Sequence, residues 1–159
     1  MSDKDNPVAV SHASYPNVAY THQGWLTDDH RYFYMNDEGD EMGGLVEGTR
    51  TLIWDIEDLD DPILLSEYIS ENKSIDHNLY IRGNLMYQSN YVSGLRIFDI
   101  SDPATPVPVG YFDTVPWTED TPTFNGSWSN YPFFESGTII VTSGSEGLFM
   151  LRKRRPGVS

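Results

Sequence analysis

Short apolar runs separated by turn residues fill the chain, and no stretch keeps a helical period. The middle is clearest. Residues 77–81 read as a strand, and Arg82-Gly83-Asn84 reads as a tight turn, because glycine and asparagine tolerate positive φ. Residues 85–89 form a second strand, and a turn through Ser93-Gly94 leads to a third over 95–100. Pro103 and Pro106 then bar continued ladder pairing, and residues 107–112 form a fourth strand. Four short strands joined this way predict an antiparallel meander.

The same order of strands and turns recurs on both sides. Leu52-Ile53-Trp54-Asp55-Ile56 returns forty-four residues later as Arg96-Ile97-Phe98-Asp99-Ile100, and Leu148-Phe149-Met150-Leu151 is a weaker third copy. In the first copy His22 matches His77, and Trp25-Leu26 matches Tyr80-Ile81. An acidic, glycine-rich insertion over residues 37–48 replaces its short second turn. In the third copy Asn130 stands where the others have histidine, Phe133-Phe134 lies near the first strand's end, and a fourth strand is missing. Residues 6–12 supply one, since Asn6-Pro7-Val8-Ala9-Val10 looks like Thr105-Pro106-Val107-Pro108-Val109.

A β-type repeat in the forties predicts an all-β fold of antiparallel β-propeller blades, one repeat to one four-stranded blade. Residues 1–159 form a single partial propeller: the strand at 6–12, then blades over 22–70, 77–113 and 127–152. Three blades do not close a ring, because known propellers use about four to eight. Two chains can complete a six-blade ring as a homodimer, each lending its N-terminal strand to the other's last blade. The chain can instead be the C-terminal part of a longer propeller. An open stack would leave apolar blade faces bare.

At these residues the chain resembles the LVIVD-repeat β-propeller family, secreted bacterial proteins often called choice-of-anchor B. The likeness rests on the run from Gly94 to Pro103 with Thr105-Pro106, and on that from Thr21 to Asp29 with Tyr32-Phe33. It rests also on the run from Gly126 to Phe134 with Ser136-Gly137 and Gly147-Leu148. The resemblance implies an extracellular or cell-surface protein, and it brings no catalytic signature. The polar segment at residues 1–7 has no apolar signal-peptide core, which departs from that expectation.

Charge narrows the partners. Ten basic against 24 acidic residues give −14, which disfavours nucleic acid and anionic membrane surfaces. No apolar run approaches the length of a membrane span. The chain has no cysteine, which removes disulfides, thiolate catalysis and thiolate-bound zinc. What fits is a protein, peptide or glycan ligand.

Candidate chemistry is confined to a few positions. Asp37, Glu38, Asp40 and Glu41 lie on a glycine-bent loop and suit a hard cation such as Ca2+, although their spacing is not that of an EF-hand. A solvated acidic turn is the other reading. His22 and His77 open the first strands of two blades, where they either bind a metal or fix blade geometry through backbone hydrogen bonds. In a meander these histidines and the acidic insertion share one face. Asp28, Asp29, His30, Asp58, Asp60 and Asp61 fall on the other. Trp25 and Trp54 belong to strand patterns and the core. Trp117 lies in the long loop over 113–126 and is a candidate for the binding face. The basic tail from Arg152 to Arg155 is either a solvated end or a contact for a second chain. The expected function is therefore a non-catalytic propeller binding module, with structural calcium in the acidic loop. The alternative is a hydrolase with a channel site built from His22, His77 and the loop at 37–41.

Overall fold

The computed structural model describes residues 4–153, so Arg154 and Arg155 of the basic tail lie outside the described residues. Among the described residues there is no helix, and eleven strands form three antiparallel sheets. The first sheet runs β1 (Thr21–Leu26), β2 (Tyr32–Asp37), β3 (Arg50–Asp55), β4 (Ile63–Ile69) in that order. The second runs β5 (Leu79–Arg82), β6 (Leu85–Ser89), β7 (Leu95–Asp99), β8 (Val107–Phe112). The third holds β9 (Ser127–Tyr131), β10 (Thr138–Ser143) and β11 (Gly147–Arg152).

The repeat survives in hydrogen-bond detail. The register of β3 on β4 shifts between Ile53 and Trp54, and that of β7 on β8 shifts between the equivalent Ile97 and Phe98. A bulge at the same place in two sheets is a built feature of the repeat. Just beyond it, Asp55 accepts from the Glu57 N–H at 3.0 Å and Asp99 from the Ser101 N–H at 2.9 Å. Asp58 and Asp102 make the next pair, accepting from the N–H two residues on. These short aspartates fold the backbone back on itself and end the strand. Two more acids of this face are also acceptors: Asp29 locally, from Thr27 and Arg31, and Asp28 across to the second sheet, from the Gly83 N–H.

Sheets pack face to face through alternating residues. Tyr34 and Ile53 meet Leu79, Ile81, Met86 and Phe98 between the first and second sheets. Tyr87 and Leu95 meet Ile139 and Val141 between the second and third. Each fully buried aliphatic side chain here contributes about 1.5–3 kcal/mol. The outer face of the first sheet carries Leu52 and Trp54, and Tyr15 of the N-terminal segment covers them in part. Trp54 is buried as expected, whereas Trp25 is 38% exposed. Its ring packs on Tyr80 and Phe133 at the margin between sheets instead of in the core.

β1 packs on β5, and β9 packs on β5 and β6, so the first strands of the three sheets gather together. A polar seam joins them. The Gln23 amide both donates to and accepts from the backbone of Leu79. Gln88 donates to Asn36 and Thr51, and Asn36 donates to the His77 carbonyl. Asn130 donates to the Tyr87 carbonyl and to Ser89. Only Asn130 Oδ1 among these named groups is buried without a partner, and a buried network of this kind favours one arrangement of neighbours.

Two expectations shift. The first strand of the third sheet falls at Ser127–Tyr131, before Phe133 and Phe134. Pro132 ends it by removing the next ladder donor. Residues 6–12 are exposed and join no described strand, with Ser11 Oγ donating to the Leu59 carbonyl. β11 therefore remains the edge of a three-stranded sheet.

Candidate functional site

Where the first strands converge, three of the singled-out residues meet. His22 comes from β1, Glu38 from the residue after β2, and His77 from the segment leading into β5. The Glu38 carboxylate faces a nitrogen of each ring. Its Oε2 lies 3.3 Å from His22 Nδ1 and its Oε1 lies 3.5 Å from His77 Nε2. The ring centroids are 4.3 Å apart. His77 is almost wholly buried, while His22 and Glu38 are partly open to solvent.

Each of the three has a supporting partner. His77 Nδ1 lies 2.5 Å from the carbonyl oxygen of Trp128, an acceptor that requires the proton on Nδ1. His22 Nε2 faces Asn78 Oδ1 at 3.3 Å. Tyr91 donates its hydroxyl to Glu38 Oε1 at 2.5 Å. Burial lowers the His77 pKa, with the nearby His22 adding to the effect and the Trp128 carbonyl and Glu38 opposing it. Burial, then the bond to Glu38, raises that of the Tyr91 hydroxyl. His77 is therefore neutral, and the tyrosine is a firm donor at physiological pH.

Tyr91 reaches Glu38 by an unusual backbone. Its φ is 36°, in a region that non-glycine residues seldom occupy. Two hydrogen bonds with Ser127 hold it there, Tyr91 N–H to the Ser127 carbonyl and the reverse. Strain of about 1–3 kcal/mol at such a position persists only when surrounding contacts over-determine it. Trp128 and Phe124 pack edge-on against the Tyr91 ring, giving the site an aromatic wall.

The other loop acids go elsewhere. Asp37 is fully buried and accepts from the Ala19 and Tyr20 N–H groups and the Tyr15 hydroxyl. Asp40 accepts from Arg50 Nε at 2.6 Å, and Glu41 from the Arg50 N–H at 3.0 Å. Arg50 is buried too and donates to the Pro16 and Asn17 carbonyls. Asp76 is buried with both oxygens unpartnered, and so are Asp40 Oδ1 and Glu41 Oε2. Burial raises the pKa of all three, with Glu41 pushed up to about 9 and its neighbour Asp40 the next cause. The four acids expected on one cation are thus divided between the histidine site and a buried cluster around Arg50. Trp117 stands 72% exposed in its loop. Asp120 of the same loop anchors it by accepting from Asn72 and Ser93.

Arg50, Asp76 and Tyr91 carry no mark in the sequence that singles them out, and Trp128 stands there only as one of four tryptophans able to stack on a ligand. Trp128 acts through its ring and through its carbonyl, and no residue type signals the second. Tyr91 could be read only as the residue before Val92-Ser93-Gly94 in an ordinary turn. No protein-family model and no curated protein matches the chain.

Proposed function

We propose that the chain forms three β-propeller blades of the LVIVD-repeat type and acts as a non-catalytic binding module. Its ligand is a protein, peptide or glycan taken on the face that bears His22, His77, Trp128 and the loop carrying Trp117. The repeated bulge and aspartate turns support the blade reading, and so does the gathering of β1, β5 and β9. The single observation that carries the binding reading is the convergence of side chains from two sheets on one partly open, aromatic-walled point. Residues that serve only folding have no need of a strained Tyr91 aimed at a carboxylate.

The ring is completed by a second copy, whose residues 6–12 add a strand to the free edge of β11. Light scattering should give a species of twice 18.1 kDa, and deleting residues 1–13 should abolish it. A monomer of unchanged stability overturns the exchange, and a longer parent chain then supplies the missing blades. The binding reading is tested on glycan and peptide arrays. Trp117→Ala and Trp128→Ala should each weaken a hit without lowering the melting temperature by more than a few degrees. A hydrolase at the same point is the second reading, favoured by the open His22 and Glu38 beside the neutral His77. It requires turnover that His22→Ala removes. Structural calcium on the acidic loop of Asp37, Glu38, Asp40 and Glu41 is a further proposal, and a melting temperature unmoved by millimolar calcium removes it.

A further inference from the structure

We infer that His22, Glu38 and His77 bind one divalent transition-metal ion of the zinc class. The inference rests on the reading of this face as the ligand-binding face, and it names the first thing that face holds.

Distances carry the argument. Charge-assisted hydrogen bonds between nitrogen and a carboxylate settle at about 2.7–2.9 Å. The contacts here are longer, at 3.3 Å and 3.5 Å. The contact of His22 Nδ1 with Glu38 Oε2 matches instead the edge of a coordination tetrahedron, while His77 Nε2 faces the other carboxylate oxygen, Oε1. Zinc–nitrogen bonds of about 2.0–2.1 Å and zinc–oxygen bonds of about 2.0–2.2 Å place neighbouring ligand atoms about 3.3–3.5 Å apart. One donor atom from each residue lies within 4.8 Å of the other two, close enough to share a single ion.

The supporting contacts point the same way. A metal-bound histidine usually donates its second ring N–H to a carbonyl or carboxylate, which fixes the tautomer and aims the other lone pair. His77 does so to Trp128, and His22 Nε2 faces the Asn78 amide oxygen. The Nε2 lone pair of His77 is thereby turned on the carboxylate, and His22 presents Nδ1 to the same group. Tyr91 holds Glu38 Oε1 and leaves Oε2 towards His22. Two nitrogens and one carboxylate suit zinc or cobalt and fall well short of the six to eight oxygens that calcium takes. Three protein ligands leave the fourth position open, and it lies on the side where His22 and Glu38 are 23% and 14% exposed. A ligand carboxylate, hydroxyl or water fits there.

The test is titration of chelator-treated full chain with Co2+, followed by calorimetry and visible absorption. One ion per chain is expected, with the visible bands of four-coordinate cobalt, displaced by one equivalent of Zn2+. His22→Ala and Glu38→Gln should abolish the bands while the circular dichroism stays unchanged, and Tyr91→Phe should weaken binding by about 10–100-fold. His22 is partly exposed, so its variant remains informative even where His77→Ala fails to fold. No saturable binding up to millimolar Co2+, or binding that His22→Ala and Glu38→Gln leave intact, overturns the inference. Array hits that persist in metal-free protein alongside absent cobalt binding overturn the metal site and leave the module reading standing. Cobalt bound without any array hit supports the metal site and counts against the module alone.

Discussion

Glu41→Gln probes the charge state of the acidic cluster behind the site. As an anion, Glu41 would keep Oε2 buried without a partner, beside the equally unpartnered Asp40 Oδ1. One proton on Glu41 lets it donate to Asp40 and satisfies both. Burial pushes its pKa up to about 9, from an ordinary glutamate value of 4.5. The folded state therefore holds this proton more tightly than the unfolded chain does. Such a group stabilises the fold fully below its unfolded pKa, and that stability is lost as pH rises through the folded pKa. Between pH 5.5 and 8.5 the unfolded chain has released the proton and most of the folded protein has not. The loss is at most about 1.4 kcal/mol per pH unit, or about 4 kcal/mol over this window. Glutamine keeps an oxygen for the Arg50 N–H and an amide to donate to Asp40, but it has nothing to titrate. The variant should match the wild type near pH 5 and exceed it by several kcal/mol near pH 8.5. Urea unfolding followed by tryptophan fluorescence, with chelator present, measures both lines. Asp76 has a raised pKa as well and tilts both lines in the same sense. Parallel lines would refute the reasoning and mean that Glu41 is ionised in the native protein.

Arg50→Met leaves Asp37 and Asp40 buried without their guanidinium, and should cost about 3–5 kcal/mol in denaturant unfolding at pH 7. A loss under about 1 kcal/mol would mean that the cluster is neutral without the arginine. Gly94→Ala forces a side chain onto a backbone at φ 74°, where its Cβ meets the Phe112 carbonyl. It should destabilise by at least about 1–3 kcal/mol, read as a fall in melting temperature. Gly83→Ala has the same sign of φ but open space around it, so it should cost visibly less.

Strands were legible because the chain spells each one between turn residues and then spells it again. Val107–Phe112 falls where the two prolines and the repeat place it, and Ile53 and Ile97 take equivalent positions beside their bulges. The third copy was read less well, because Ser127-Trp128-Ser129-Asn130 has few apolar residues to mark a strand. At the site, the shared position of His22 and His77 was legible, as was their common face with the acidic insertion. What stayed hidden was how that insertion divides its charges. Asp37, Glu38, Asp40 and Glu41 look alike in sequence, and only Arg50, buried on the next strand, separates those it draws inward from the one left to the histidines.

The site arises where the repeat is broken, and that can be reversed. Residues 37–50 occupy the place that residues 90–94 fill in the second copy, so replacing them with Asn-Tyr-Val-Ser-Gly removes nine residues and restores the short turn. The exchange deletes Glu38 and the pairing of Arg50 with Asp37 and Asp40 together, and of that ion network it leaves only the partly exposed Glu67 without its arginine. Strand pairing should survive, because Asn36 and Thr51 keep their cross-strand register and Gln88 still reaches both. The chimera should unfold cooperatively, lose the pH slope assigned to Glu41, and bind no cobalt. A chimera that folds yet still binds one cobalt ion per chain would place the metal elsewhere. One that fails to fold while Glu41→Gln behaves as expected would mean that the insertion is needed to bury the outer face of the first sheet, where Tyr15 hydrogen-bonds Asp37 and packs on Trp54.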